Sequence, residues 1–298
     1  MNWEAEKADW PLAETSQFVQ SGPHRWHVQT QGSRDKPSIL LIHGAGASGH
    51  SWAGLVPLLA TDYHVISVDL PGHGFSKRGG MRRARLPAIA HDLGILLQDM
   101  GLSPTLVIGH SAGVAVALEL TEHMPVQGIV GLNGALSEFQ GVAGWLFPAL
   151  AKLLSLNPFT ALVFAKTATP SNVASMIKAT GSDLSPALLA PYFRLVRDRA
   201  HVDGALTMMA EWDLRPLVKG MPQIEIPVLL LAGSADGAVS PDTSAVAAKH
   251  LRRAKAQILP GYGHLMHEED PEGILALIAP FLQACLREVD AQPLAQGA

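Results

Sequence analysis

The stretch TLVIGHSAGVAVALEL, residues 105–120, runs a short β-rich apolar segment straight into a helix-forming one, with Ser111 at the junction between Gly109 and Gly113. A strand that turns at once into a helix lifts the residue at the bend above the sheet edge, and flanking glycines relieve the crowding there. Serine is a poor nucleophile at neutral pH. If Ser111 attacks a substrate, the rest of the chain must supply a histidine to take its proton and a carboxylate to hold that histidine in one tautomer.

Working outward from this junction, the chain alternates strand and helix. RWHVQTQG (25–32), SILLIH (38–43), HVISVD (64–69), TLVIG (105–109), GIVGLN (128–133), PVLLLAG (227–233) and AQILP (256–260) read as strands. Helical patterns fall near 51–60, 85–100, 111–123, 241–250 and 271–287. Such alternation predicts an α/β fold, a mostly parallel sheet covered on both faces. From about 135 to 220 it stops, and segments rich in Leu, Phe, Met and Trp intervene. The expected organisation is a core over 1–134 and 221–288, a helical cap (lid) insertion over 135–220, and a flexible tail over 289–298. No internal repeat is visible.

On a sheet of this kind the partners of a nucleophilic serine follow in the order Ser, Asp, His. LLLAGSADGAVSP places Asp236 just past a late strand, and LPGYGHLMHEEDP places His264 just past the last one. Both loops belong to the carboxyl edge of the sheet, where Ser111 sits. A buried turn serine with two unrelated polar loop residues would also give these three residues, but not their order and context.

An oxyanion hole would take one N–H from Ala112, the residue after the serine, and one from the loop after an earlier strand, where Ala45 follows His43-Gly44. That loop has a rival reading. GAGASG (44–49) is formally a G-x-G-x-x-G, and Asp69 closes the next strand about 20 residues later, as a dinucleotide-binding fingerprint requires. This reading leaves the second strand-turn-helix and the late Asp and His unexplained; on the hydrolase reading Asp69 is a structural loop residue leading into PGHGFS.

Composition excludes other classes. With net charge −4 and 16% charged residues among 298, the chain lacks the basic excess of a nucleic-acid binder. Its one cysteine, Cys285, allows no intrachain disulfide, which suits a reducing cytoplasm. The start, MNWEAEKADWP, lacks the apolar stretch of a signal peptide. HLMHEED (264–270) is not H-E-x-x-H and offers no third ligand, so no metal site and no cofactor are expected, and His267 is expected to pack near the base. Arg78, Arg82, Arg83 and Arg85 read as an exposed basic loop that would also suit an anionic lipid or a partner.

The greasiest stretch, 139–165, carries only Lys152 and is broken by Pro148 and Pro158, too interrupted for a straight membrane span. It must cover something apolar: protein, ligand or a peripheral membrane surface. Trp145, Phe147, Phe159 and Phe164 are its aromatics suited to a flat or acyl substrate. Met208, Met209 and Trp212 in GALTMMAEWDL either line the same pocket or pack a helix face.

HGAGASGHSW, DLPGHGFS, GHSAG and GHLMHEE together resemble the α/β-hydrolase superfamily. RWHVQ, GLNGAL, TGS (180–182) and HVDGALTMMAEWDL are similar to one branch, the α/β-hydrolase-fold magnesium chelatase accessory proteins of bacteriochlorophyll biosynthesis. The likeness runs from about residue 9 to 285. It implies a place near magnesium insertion into a porphyrin, with chelatase subunits as partners. The chain has no G-x-x-x-x-G-K-[ST] phosphate loop, so it is not expected to be the ATP-driven motor. The resemblance leaves open a serine hydrolase acting on a small apolar substrate such as a porphyrin or acyl ester, a non-catalytic porphyrin-handling or assembly factor, and a general carboxylesterase or carbon–carbon bond hydrolase.

Overall fold

The computed structural model describes residues 1–80, 82–137 and 160–290. Their strands are β1 (Ser16–Ser21), β2 (His24–Gln31), β3 (Ser38–Ile42), β4 (His64–Val68), β5 (Leu106–His110), β6 (Gly128–Leu132), β7 (Val228–Gly233) and β8 (Ala254–Leu259), forming one sheet in the order β1-β2-β4-β3-β5-β6-β7-β8. β1, β2 and β4 pair antiparallel, and every pairing from β4·β3 onward is parallel.

The sequence explains the central strands simply. β4, β5 and β6 are buried at every position, and a strand covered on both faces has no need of polar alternation. β1 differs: SQFVQS is mostly half-buried, lies at the sheet edge, and carries no apolar run to announce it. β3 sits between β4 and β5, so the chain steps across it when it passes from β4 to β5. Strand order therefore reverses at the β3/β5 boundary. In open α/β sheets such a reversal opens a crevice at the carboxyl ends of the strands, and both the Ala45 and the Ser111 loops leave the sheet there.

The helices are α1 (Trp3–Glu6), α2 (Leu55–Leu59), α3 (Leu86–Asp99), α4 (Ala112–Leu120), α5 (Thr160–Thr167), α6 (Pro170–Ala179), α7 (Pro186–Arg197), α8 (Arg199–Glu211), α9 (Arg215–Gly220), α10 (Asp242–His250), α11 (Met266–Glu269) and α12 (Pro271–Asp290). One apolar cluster joins α3, α4 and α10 to one sheet face through Leu93, Val116, Leu118 and Ala247. A second joins α2 and α12 to the other through Leu55, Leu59, Ile274 and Ile278. Between β6 and β7 the described residues contain helices only, α5 to α9, which form the cap. A third cluster, Ala47, Val173, Leu184, Tyr192 and Leu265, ties the cap to the loops at the sheet's carboxyl edge.

Among the described residues no helix is long and apolar enough to cross a membrane. Trp145, Phe147 and Phe159 lie outside the described residues, as do most of the 139–165 stretch and residues 291–298 of the expected 289–298 tail, whose first two residues instead belong to α12.

Candidate active site

Ser111 stands between β5 and α4 with φ 51° and ψ −118°, a strained conformation for a residue bearing a side chain. The bend is held from three sides. Ser111 N–H donates to the Leu132 carbonyl (3.0 Å), and its own carbonyl accepts from Val114 N–H and Ala135 N–H (3.1 Å each). The glycines of the motif are required by close approach: a Cβ on Gly113 would lie 2.2 Å from the Ile42 carbonyl oxygen, and one on Gly109 would lie 2.6 Å from that of Gly113. Only bare backbone lets α4 begin this close to β3 and β5.

Asp236 and His264 meet at the other side of the crevice. His264 Nδ1 lies 2.7 Å from Asp236 Oδ2, and the Asp236 side chain is fully buried. Its second oxygen, Oδ1, accepts from Ala238 N–H (2.7 Å) and Val239 N–H (2.8 Å), so the carboxylate is fixed at both ends. An ionised carboxylate only accepts; the Nδ1 proton therefore belongs to His264, and Nε2 keeps the lone pair. An imidazole held this way can take a proton from a hydroxyl.

The two halves are joined through backbone. His110, the residue before Ser111, has its ring Nε2 2.8 Å from the His264 carbonyl oxygen. Asn133 donates from Nδ2 to the carbonyls of Gly263 (3.0 Å) and His264 (2.7 Å), while its Oδ1 accepts from Gly233 N–H (2.7 Å). Thr180-Gly181-Ser182 enters from the cap. The Thr180 carbonyl accepts from both Gly237 N–H (3.0 Å) and His264 N–H (3.2 Å), and Ser182 Oγ accepts from Leu265 N–H (2.8 Å). One cap turn thus fastens both the aspartate and the histidine loops.

On the opposite wall, Ala45 is exposed and its N–H has no hydrogen-bond partner among the described residues. Ala112 is the first residue of α4, where a helical N–H has no carbonyl to bond within the helix. Gly44 brings the two loops together: a Cβ there would lie 2.9 Å from the Ser111 Cβ. His43 accepts Leu70 N–H at Nε2 (2.9 Å), so its proton is on Nδ1 and donates to the Gly44 carbonyl (2.7 Å). Burial holds its pKa below the ordinary histidine value, which keeps that tautomer neutral.

Asp69 works as a buried hub. Its Oδ1 accepts from Gly49 N–H (2.7 Å), and its Oδ2 accepts from Phe75 N–H (2.8 Å) and lies 2.8 Å from His27 Nδ1. These bonds occupy the carboxylate in tying the Ala45 loop to the loop after β4. His267 has no exposed surface and packs against Trp52 and His110, with ring centroids 4.5 and 4.6 Å away; among the described residues neither of its nitrogens has a hydrogen-bond partner, and Nε2 lies 3.9 Å from Glu268 Oε1. Burial pushes it down to about 3. Among the described residues no group of three or more His, Cys, Asp or Glu side chains could hold a metal ion.

The pocket candidates separate. Met208 is buried in the main apolar cluster and Trp212 packs against that cluster, whereas Met209 and Phe164 are 42% and 45% exposed. Arg83 pairs with Asp92 (3.1 Å) and Arg85 with Glu211 (4.0 Å). Sequence reasoning did not single out Asn133, His43 or His201; each acts on a backbone group far away in the chain, and no local spacing marks such a residue.

Residues 37–271 match the family model of the alpha/beta hydrolase fold. Over 284 residues, 95% of this chain and 100% of the other, the chain is 42% identical to the "Magnesium-chelatase 30 kDa subunit" of Rhodobacter capsulatus. It is 26% identical to the "Pimeloyl-[acyl-carrier protein] methyl ester esterase" of Aeromonas hydrophila, over 83% of this chain and 95% of that one. The solved structure of the epoxide hydrolase CorEH superposes with a TM-score of 0.75 at 22% identity, covering 90% of this chain and 99% of that one, which shows a shared fold. The chain belongs to the α/β-hydrolase fold family, in common with the magnesium-chelatase 30 kDa subunit.

Proposed function

We propose that this α/β-hydrolase is a serine hydrolase in which Ser111 is the nucleophile, His264 the general base and Asp236 the residue that orients it. His264 Nε2 takes the Ser111 Oγ proton as Oγ bonds to the substrate carbonyl carbon, and the carbonyl π pair moves onto oxygen. The Ala45 and Ala112 N–H groups stabilise that oxyanion. Collapse breaks the ester bond, and the leaving alcohol takes the proton from His264. Water, deprotonated by His264, then attacks the acyl-enzyme; the acid leaves and Ser111 regains its proton. No cofactor enters the cycle.

The observation that carries this reading is the His264–Asp236 contact of 2.7 Å to a fully buried carboxylate, on a sheet edge it shares with the strained Ser111. The likeness to the chelatase subunit supports a role beside magnesium insertion in bacteriochlorophyll synthesis, with chelatase subunits as partners, and we propose that it is carried out in the cytoplasm. The substrate would be small and apolar, a porphyrin or an acyl ester, for which Phe164, Met208, Met209 and Trp212, together with the sequence candidates Trp145, Phe147 and Phe159, are the proposed contacts.

Fluorophosphonate labelling tests the chemistry. Labelling of the wild type that vanishes in Ser111→Ala is the expected result; unchanged labelling in that variant overturns the assignment. A second reading, a non-catalytic porphyrin-handling or chelatase assembly factor, is favoured by the exposed apolar cap residues Val163 and Met176. Porphyrin binding by tryptophan quenching, with no labelling at Ser111, would select it. Efficient turnover of short esters with no porphyrin binding would instead select a general esterase.

A further inference from the structure

The loop that carries Ala45 is a tight turn. Ala47 N–H donates to the Gly44 carbonyl (3.2 Å), and Gly46, the third residue, has φ 78°, the geometry a type II turn requires. Ala45, the second residue, is exposed, and its N–H has no hydrogen-bond partner among the described residues. Nothing crowds Gly46: a Cβ there would meet no atom within 4 Å. One hydrogen bond and an unconstrained glycine do not fix the direction of a peptide N–H, so the turn needs support on both sides.

The support on the Gly44 side is His43, already described, at the end of β3. The support on the Gly46 side comes from the cap. His201, in the first turn of α8, lies with Nε2 3.2 Å from the Gly46 carbonyl oxygen and Nδ1 3.0 Å from Gly74 N. Gly74 N–H can only donate, so Nδ1 carries the lone pair and Nε2 carries the proton, which donates to Gly46. Burial pushes the ring down to about 4, so this neutral form holds at physiological pH. Among the described residues no other group bonds the Gly46 carbonyl.

The helix that carries His201 cannot retreat without breaking a second contact. Gly204, one turn on, packs backbone to backbone against the loop after β4; a Cβ on Gly204 would lie 2.0 Å from the Gly72 carbonyl oxygen. Two residues of the HVDG run, His201 and Gly204, therefore dock one face of α8 on the loops that border the crevice.

We propose that His201 is a positioning residue for the oxyanion hole: by holding the Gly46 carbonyl it fixes the Gly46–Ala47 peptide, whose N–H bonds the Gly44 carbonyl of the peptide that carries the Ala45 N–H, so the placement of the cap and the strength of oxyanion stabilisation are coupled. This rests on the serine-hydrolase reading for its catalytic consequence, but not for its structural one. A cap that shifts when substrate enters would move α8, and with it the turn.

The test compares wild type, His201→Ala, His201→Gln and Gly204→Ala, each checked for folding by circular dichroism. Readouts are kcat and KM on a p-nitrophenyl ester, the fluorophosphonate labelling rate, and the amide resonance of Ala45 in 15N-labelled protein. Removing one oxyanion donor outright costs roughly 100- to 1000-fold in kcat, so misdirecting one predicts a fall of about 10- to 100-fold. His201→Ala should show that fall with KM within about threefold, a parallel drop in labelling rate and a shifted Ala45 amide. His201→Gln, whose amide can donate to the same carbonyl, should recover part of the rate. Gly204→Ala, with His201 intact, should reproduce the loss by pushing the helix off the turn. If His201→Ala does not fold, the Gln and Gly204→Ala variants decide the matter by the same readouts. Wild-type kcat in the folded His201 variants, or an unmoved Ala45 amide, overturns the proposal. If the wild type neither labels nor turns over ester, the hydrolase reading fails, and the Ala45 amide alone decides whether His201 positions the turn.

Discussion

His110 donates its ring Nε2–H to the His264 carbonyl across 2.8 Å, so the residue preceding Ser111 holds the backbone of the histidine proposed as its base. The ring is fully buried, and burial keeps it well below the ordinary histidine pKa, hence neutral. The same carbonyl takes the Asn133 amide at 2.7 Å. Replacing His110 by phenylalanine should therefore lower kcat by about tenfold, and adding Asn133→Ala should lower it by more than the product of the single effects, because each residue alone still restrains the carbonyl. Strict additivity in a double-mutant cycle would show that the two bonds do not act on one element.

Asn133 should also matter for stability. It has φ 48° and makes three buried bonds to the backbone of β7 and the histidine loop. Asn133→Ala removes the partner of the Gly233 N–H and of the Gly263 carbonyl, at roughly 1–3 kcal/mol for each group left unsatisfied, while the His264 carbonyl keeps its bond from His110. Urea denaturation should show a loss of several kcal/mol; a loss under 1 kcal/mol would mean that water replaces the amide.

The two histidines of HLMHEE are expected to behave oppositely. His264→Ala should abolish ester turnover and labelling. His267→Phe should keep turnover within a few-fold of wild type and leave the melting temperature equal or higher, because the His267 ring has no hydrogen bond to lose among the described residues and phenylalanine removes two buried nitrogens without hydrogen bonds. Comparable losses of activity in both folded variants would sink the assignment of His264 as sole base.

Stability should pass through a maximum with pH. His50 and His267, pushed down to about 3, and His201, to about 4, stay neutral in the fold while the unfolded chain protonates them near 6.5. Between those values the unfolded state binds more protons, so stability is full above the unfolded pKa and falls as pH drops, by roughly 1.4 kcal/mol per pH unit for each histidine. Glu268 has the opposite sign. Burial raises it to about 8 from 4.5, so its contribution is full below 4.5 and is lost as pH rises through 8. The histidines dominate below about 6.5 and Glu268 dominates from there to about 8, placing the maximum near the crossover. Denaturation midpoints measured from pH 4 to 9 should trace this dome, and Glu268→Gln should flatten its alkaline side. A monotonic rise in the wild type would refute the assignment.

Gly181 carries a sharper expectation. Its φ is 83°, and a Cβ on it would lie 1.8 Å from the Ala235 carbonyl, beside Asp236. Gly181→Ala should destabilise the protein by more than the roughly 1 kcal/mol of an unstrained glycine change, and should lower kcat by displacing the aspartate loop. Thermal melting and ester kinetics on the same sample check both halves of the expectation.

The central sheet was legible in sequence because β3 to β7 are short runs dominated by Ile, Leu and Val, as strands covered on both faces require. Ser111, Asp236 and His264 were legible as candidates because each follows the end of a strand, in the expected chain order. β1 was hidden: SQFVQS lies at an edge, half in water, where neither composition nor alternation is constrained. His201 and Asn133 were hidden for a different reason. What each does is fixed by backbone groups of distant loops, such as Gly46 with Gly74, or Gly233 with His264, and a single polar residue in a helix or after a strand does not reveal its partners. Met208 and Met209 show the limit of helix-face reading, since adjacent residues of one run lie in the core and in solvent.

β6 and β7 are neighbours in the sheet, Leu132 opposite Leu231, although the whole cap intervenes between them in the chain. The chain thus leaves the sheet and returns to it at nearly the same place, and the cost of closing such an excursion grows only as the logarithm of its length. Such an insert behaves as a cassette. A chimera that grafts another family member's cap between Asn133 and Pro227 keeps every strand pairing of the host, and what it must carry with it is the set of connectors, the Thr180 carbonyl, His201 and Gly204, without which a well-folded graft would sit over a misaligned reaction centre.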